Sequence, residues 1–213
     1  MEKEGHCYRI GVQCFVTGNA FLGHMDLRAR ALPALFDLRN RSGEAVQMAV
    51  LEGLQVIYIE RVQSHRPVPF LRAQVGAILA AYCTALGKAL LAFSPMEVID
   101  QYMRTIPLKA LTSNTITSRK KLLAELAAVR RLGCAFDRGE RAIEVRCIAA
   151  PIFDHEGRLV AAMSVAGPAP RMPNPLEGSL LAKDVVETGA RISAAIGYLP
   201  SPKGVARSQL VNA

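Results

Sequence analysis

Asp137, Cys147 and Ser164 are polar side chains set into a stretch, Cys134 to Pro168, that is otherwise rich in apolar and β-branched residues. A carboxylate, a thiol and a hydroxyl on neighbouring strands can point into one space and hydrogen-bond a small polar ligand there. With His155 they can also be drawn as a thiol triad in which a base activates Cys147 as a nucleophile. The turn that holds His155, however, lies at the far end of the runs whose middles hold the other groups. A further candidate is Thr84-Ala85-Leu86-Gly87. Read as a helix start, it presents unpaired N–H groups and the positive end of a helix dipole, which hold a carboxylate without a charged side chain. Each candidate also has a plainer reading. Asp137 can be a turn former, Cys147 a small buried hydrophobe, Ser164 a hydroxyl satisfied by its own sheet, and Thr84 a cap whose helix end meets water.

The elements that must position these groups follow from periodicity. Glu144–Phe153 and Arg158–Gly167 are extended runs closed by Asp154-His155-Glu156-Gly157, a polar turn with glycine last, which is a hairpin pattern. Ala135-Phe136-Asp137 reads as a short strand. Ala45–Glu52 and Gln55–Val62 read as paired strands around Gly53, with Val46, Met48 and Val50 alternating with Gln47 and Ala49 as a sheet with one buried face requires. Val68–Arg72 and Ala77–Tyr82 are weaker strands. A helix is expected over Leu27–Arg41, with an apolar face of Leu32, Leu35, Phe36 and Leu38 and a kink or late start at Pro33. Others are expected over Ala85–Phe93, then through Met103 with Ser94 as cap and Pro95 in the first position, and from Thr117 or Ser118 to Leu132. The last should start at Asn174-Pro175, with Glu177 as a capping-box carboxylate. Helices that bracket about six strands joined mainly by hairpins predict an α+β domain, an antiparallel sheet with helices packed on it.

Composition excludes several function classes. The 213 residues are 51% hydrophobic, ample for a packed core. No apolar run approaches the roughly 20 residues of a membrane span, and MEKEGHCYRIG lacks the apolar core of a signal peptide, so a cytoplasmic protein is expected. Five cysteines without a CxxC pair and four histidines without ligand spacing give no metal site and no disulfide framework. No phosphate-binding glycine loop appears, and no cofactor is expected. The net charge of +8 is dispersed and reads as a solvated surface rather than a nucleic-acid reading head.

The same residues carry a resemblance. Gly133-Cys134-Ala135-Phe136-Asp137, Val145-Arg146-Cys147-Ile148-Ala149-Ala150-Pro151-Ile152-Phe153-Asp154 and Ala161-Ala162-Met163-Ser164-Val165-Ala166-Gly167-Pro168 are similar to the signature of the IclR (isocitrate lyase regulator) family of bacterial transcription factors. A second block, Cys83 to Ala92 followed by Thr112–Thr117 (TSNTIT), resembles it independently, and the likeness runs in order over about residues 8–198. It implies a GAF/PAS-like effector-binding domain at 24–198, preceded at 1–23 by a wing remnant and linker helix and followed at 199–213 by a loose tail. Tyr8-Arg9-Ile10-Gly11 matches the exit from a wing, and Val12–Leu22 the linker helix. DNA would be read by a winged helix-turn-helix domain absent from this chain, and the protein would assemble as a homodimer or homotetramer.

The resemblance also implies a small organic carboxylate as effector. Backbone N–H groups of Ala85 and Leu86 would hold the acid, Asp137, Cys147 and Ser164 would contact the ligand, and Val145 and Met48 would be apolar walls. Ala166 stands where members that bind small keto acids carry a second hydroxyl, and Leu86 replaces a smaller residue. The expected acid is therefore larger or more apolar than glyoxylate, aromatic acids included. The protein is expected to be a sensor and not an enzyme. The alternative is a free-standing GAF-like enzyme using Cys147 for redox or hydrolytic chemistry.

Overall fold

The computed structural model describes residues 2–4, 7–9, 12–14, 16–18, 26–66 and 74–199. β1 (Glu2–Glu4) and β2 (Cys7–Arg9) pair as a separate two-stranded hairpin, and residues 12–14 and 16–18 are helical. Helix α1 (Asp26–Ser42) leads into β3 (Ala45–Glu52), β4 (Gln55–Val62) and β5 (Ile78–Leu79). Three helices follow, α2 (Ala85–Phe93), α3 (Met96–Thr105) and α4 (Arg119–Leu132). The chain ends in β6 (Ala135–Asp137), β7 (Val145–Phe153), β8 (Leu159–Pro168), a short 3-10 turn at Ala169–Arg171, and α5 (Leu180–Ala195). The weak strand expected at Val68–Arg72 and nearly all of the tail lie outside the described residues.

Strands β3 to β8 form one antiparallel sheet in the order β5-β4-β3-β8-β7-β6. Two hairpins, β3–β4 and β7–β8, meet at its centre through the β3–β8 pairing. The domain is thus α+β, as expected, but the sheet is buried on both faces rather than one. Val46, Met48, Ile148, Ala150, Met163 and Val165 pack under α1 and α5, while Ala49, Ala135, Ala149 and Ala162 pack under α2 and α4. Successive residues of a strand point to opposite faces, so these two sets interleave along the same strands.

The second face is floored by alanines because α2 lies close on it. Gly87 faces the turn that leads into the helix: a methyl group there would stand 2.2 Å from the Ala81 Cα. Thr84 starts the helix, its hydroxyl accepting from the Gly87 N–H and donating to the Ala80 carbonyl, each at 3.1 Å.

Several local expectations are corrected. Of the two alternatives at Pro33 the late start does not hold, since α1 begins at Asp26, and Phe36 is 44% exposed, with Arg39 over its ring rather than the core beneath it. The strand expected over Ala77–Tyr82 shortens to Ile78–Leu79. Pro95, not Ser94, precedes α3, because the Ser94 hydroxyl donates back to the Leu90 carbonyl and closes α2. Helix α5 is capped by Ser179, which accepts from the Ala182 N–H, and Glu177 is drawn to Arg138 instead of capping.

Gly87→Ala tests the contact between α2 and the turn that leads into it. In an open helix the change would stabilise by about 1 kcal/mol. Here the added methyl meets backbone, so urea unfolding should show a loss of about 2–3 kcal/mol.

Candidate functional site

A cavity of about 380 Å³ opens between the N-terminus of α2 and the sheet, within the usual range for small-molecule pockets. It draws side chains from β3 (Gln47), β4 (Tyr58), β5 (Leu79), the end of β6 (Asp137), β7 (Val145, Cys147) and β8 (Ser164, Ala166), and is closed by Ala77, Arg141 and Ala142. Strand register brings the sheet residues together. Asp137 pairs with Cys147 and Cys147 with Ala166, while Ser164 lies opposite Gln47.

The helix end contributes donors. Thr84 takes the Gly87 N–H through its hydroxyl and the Lys88 N–H through its carbonyl. The N–H groups of Ala85 and Leu86 have no acceptor among the described residues, and both residues line the cavity. Three side chains face the same space with no hydrogen-bond partner among the described residues, although each is almost wholly buried: Ser164 at 1% exposure, Gln47 at 3% and Tyr58 at 5%. Their polar atoms open into the cavity and are free to hydrogen-bond a group placed in it.

Asp137 is held by its own loop. Its Oδ1 accepts from the N–H groups of Gly139 at 3.0 Å and Glu140 at 2.7 Å. Gly139 is required there, since its φ is +85° and a methyl would crowd the Ile143 carbonyl. The block Thr112–Thr117 explains how the loop keeps its shape. Asn114 donates to the Arg138 carbonyl at 2.9 Å, Thr112 to Gly139 at 2.7 Å and Thr115 to Glu140 at 2.6 Å, so three successive carbonyls are fixed. Beneath the loop, the fully buried Lys88 ammonium contacts Glu140 and lies 3.2 Å from Glu125. Arg138 joins Glu125 at 3.0 Å to Glu177.

Burial raises the Asp137 carboxyl to about 6, with the nearby Glu140 charge pushing the same way and the loop N–H groups and Lys88 opposing. Cys147 touches the cavity but is otherwise enclosed. Burial, then the Asp137 charge, pushes its thiol well above the ordinary range. It is a neutral thiol, not a nucleophilic thiolate. His155 stands exposed in the β7–β8 turn beside Glu156, as a triad partner of Cys147 could not.

Residues 19–194 match the family described as bacterial transcriptional regulator IclR, C-terminal. The chain belongs to the IclR family. The Escherichia coli K12 transcriptional repressor IclR is 36% identical over 170 residues, covering 79% of this chain and 61% of the repressor. The regulator XynR of the same organism is 29% identical over 191 residues, 90% of this chain and 75% of XynR. The crystal structure of Thermotoga maritima IclR superposes with a TM-score of 0.81 at 32% identity, covering 93% of this chain and 79% of that one. An IclR homologue from Microbacterium hydrocarbonoxydans, complexed with 4-hydroxybenzoate, superposes with a TM-score of 0.75 at 29% identity, covering 88% and 75%. The described domain is therefore an IclR effector-binding domain, a part of transcriptional regulators rather than an enzyme.

Six of the seven residues singled out from the IclR resemblance line one cavity: Ala85, Leu86, Asp137, Val145, Cys147 and Ser164. Met48 does not. It is fully buried on the opposite face, under α1 and α5. Its neighbour Gln47 lines the cavity in its place, because one step along a strand changes face. Tyr58, Gln47 and Arg141 were missed. Alternation along β3 could have found Gln47 had both faces been known to be buried, whereas Arg141 carries no local signal.

The Asp137 shift sets a pH dependence. A carboxyl raised from 3.8 to about 6 in the folded state favours folding below the unfolded value and loses that contribution as pH rises through the folded one. The displacement corresponds to on the order of 2–3 kcal/mol. Asp137→Asn keeps the acceptor for the loop N–H groups and removes the titration. Its stability relative to the unaltered chain should therefore rise by that amount between about pH 4 and pH 7, measured by urea unfolding across pH.

Proposed function

We propose that the cavity binds a small organic carboxylate and that the chain is the ligand-sensing and oligomerising part of an IclR-type regulator. The observation that carries this reading is the pair of unpartnered N–H groups at Ala85 and Leu86, opening into the same space as buried, unpartnered polar side chains. A carboxylate placed there meets the positive helix end and the free donors together. The far part of the ligand is neutral. Ser164, Gln47 and Asp137 meet a hydroxyl or carbonyl, while Val145, Cys147, Leu79 and Leu86 enclose an apolar body. Leu86 and Ala166 favour a larger, less polar acid, and the 4-hydroxybenzoate held by the Microbacterium hydrocarbonoxydans homologue has this chemistry, an acid and a hydroxyl on an apolar ring.

The organisation that goes with this reading is a wing remnant and linker helix at 1–23, the effector domain at 24–198 and a tail at 199–213. The β1–β2 hairpin is consistent with a wing remnant. Val12 and Val16, exposed on the helical residues that follow, suit a homodimer or homotetramer interface. DNA is contacted through a winged helix-turn-helix domain that these residues do not form, and the regulator works in the cytoplasm. No helix among the described residues is long and apolar enough to cross a membrane.

Calorimetric titration with a panel of monocarboxylates, from pyruvate to 4-hydroxybenzoate, tests the reading. The best acid should bind, and its carboxamide should bind poorly because the helix end has lost its anion. Ser164→Ala and Asp137→Ala should each weaken the acid by roughly tenfold. Binding indifferent to the amide exchange and to both substitutions would place the ligand elsewhere.

A further inference from the structure

Arg141 is the one cationic side chain among the described residues that lines the cavity. It follows directly on the three carbonyls pinned by Thr112, Asn114 and Thr115, so its backbone is held in place while its side chain remains exposed at the mouth. The charges of Arg141 and Asp137 both act on the Cys83 thiol and the Tyr58 phenol. Cys83 is the residue before the Thr84 cap, and Arg141 lines the same cavity as Ala85 and Leu86, whose free N–H groups start α2. Tyr58 is neutral, since burial raises its phenol, and it presents a donor to the same space.

Resting on the carboxylate reading, we infer that Arg141 is a specificity-determining residue that closes on the ligand's carboxylate opposite the N-terminus of α2. The charge content of the cavity is then one cation, one helix end and one carboxylate. A full positive charge and a helix end worth about half a charge face the acid, while Asp137 is the one carboxylate among the lining residues. A ligand with one carboxylate and a neutral hydroxyl suits this set of groups. A dicarboxylate of the same length sets its second charge against Asp137, which is largely ionised above about pH 6.

The test uses the full chain at pH 7.5, with calorimetric titration of the tightest-binding monocarboxylate from the panel, its carboxamide, and the dicarboxylate of matching shape (terephthalate if the acid is 4-hydroxybenzoate). The unaltered chain should bind the monocarboxylate at least about tenfold more tightly than the dicarboxylate. Arg141→Met should weaken the monocarboxylate by about tenfold or more, the range for losing a charge-assisted hydrogen bond, and leave the weak amide binding within about twofold. Arg141→Lys should recover part of the loss, because it restores charge without the planar fork. Thermal melts of both variants should match the unaltered chain, as the side chain is exposed. Equal binding of the acid to the unaltered chain and Arg141→Met, or an equal loss for acid and amide, overturns the assignment of Arg141 and leaves the carboxylate reading standing. If no acid in the panel binds the unaltered chain, the carboxylate reading itself falls and takes this inference with it.

Discussion

Lys88 has no access to solvent, so its ammonium must find counter-charge inside the protein, in Glu140 and Glu125. Stranding one member of a buried pair costs about 3–5 kcal/mol, so such a pair tolerates few alternative arrangements. Its three members belong to α2, α4 and the loop after β6. The site depends on that tie. One turn before Lys88, α2 presents the Ala85 and Leu86 N–H groups; on either side of Glu140 stand Asp137 and Arg141. The interaction that fixes α2 on the sheet also fixes donors, carboxyl and cation relative to one another. Arg138 extends the same chain of charges to Glu177, at the approach to α5.

The cavity exists because the sheet is covered on both faces but not filled on one. Under the body of α2 the floor is alanine. Beyond the helix start the floor residues become Asp137, Cys147, Ser164 and Gln47, with Ala166 leaving room among them. Buried polar groups there would be a liability in a pocket that stayed dry and empty. The arrangement trades stability for recognition, and the raised Asp137 carboxyl is its visible sign.

Much of this was legible in the sequence, for physical reasons that differ by element. Thr84 as a cap, the bounds of α2, and the turn from Asp154 to Gly157 follow from local rules about caps and turns, and they stand as read. Asp137, Cys147 and Ser164 were legible because polar residues are conspicuous on apolar strands. Met48 and Gln47 were exchanged because alternation says that neighbours face opposite ways, not which face holds the cavity when both are buried. The start of α5 was misplaced because Glu177, a good capping residue by spacing, is claimed by Arg138, thirty-nine positions away in sequence. Lys88 and Arg141 lay beyond local reading altogether, since only the assembled fold reveals that one is encased and the other lines the cavity.

The most direct test of the central claim, an anion held on the start of α2, is the amide spectrum of the ¹⁵N-labelled chain during titration with its best-binding acid. The account predicts that the amide protons of Ala85 and Leu86 move downfield as they gain a charged acceptor, and that the matched carboxamide leaves them nearly in place. Unmoved Ala85 and Leu86 signals at saturating acid, with the shifts gathered instead around Leu132, Phe136 and Val186 in the groove between α4 and α5, would contradict it.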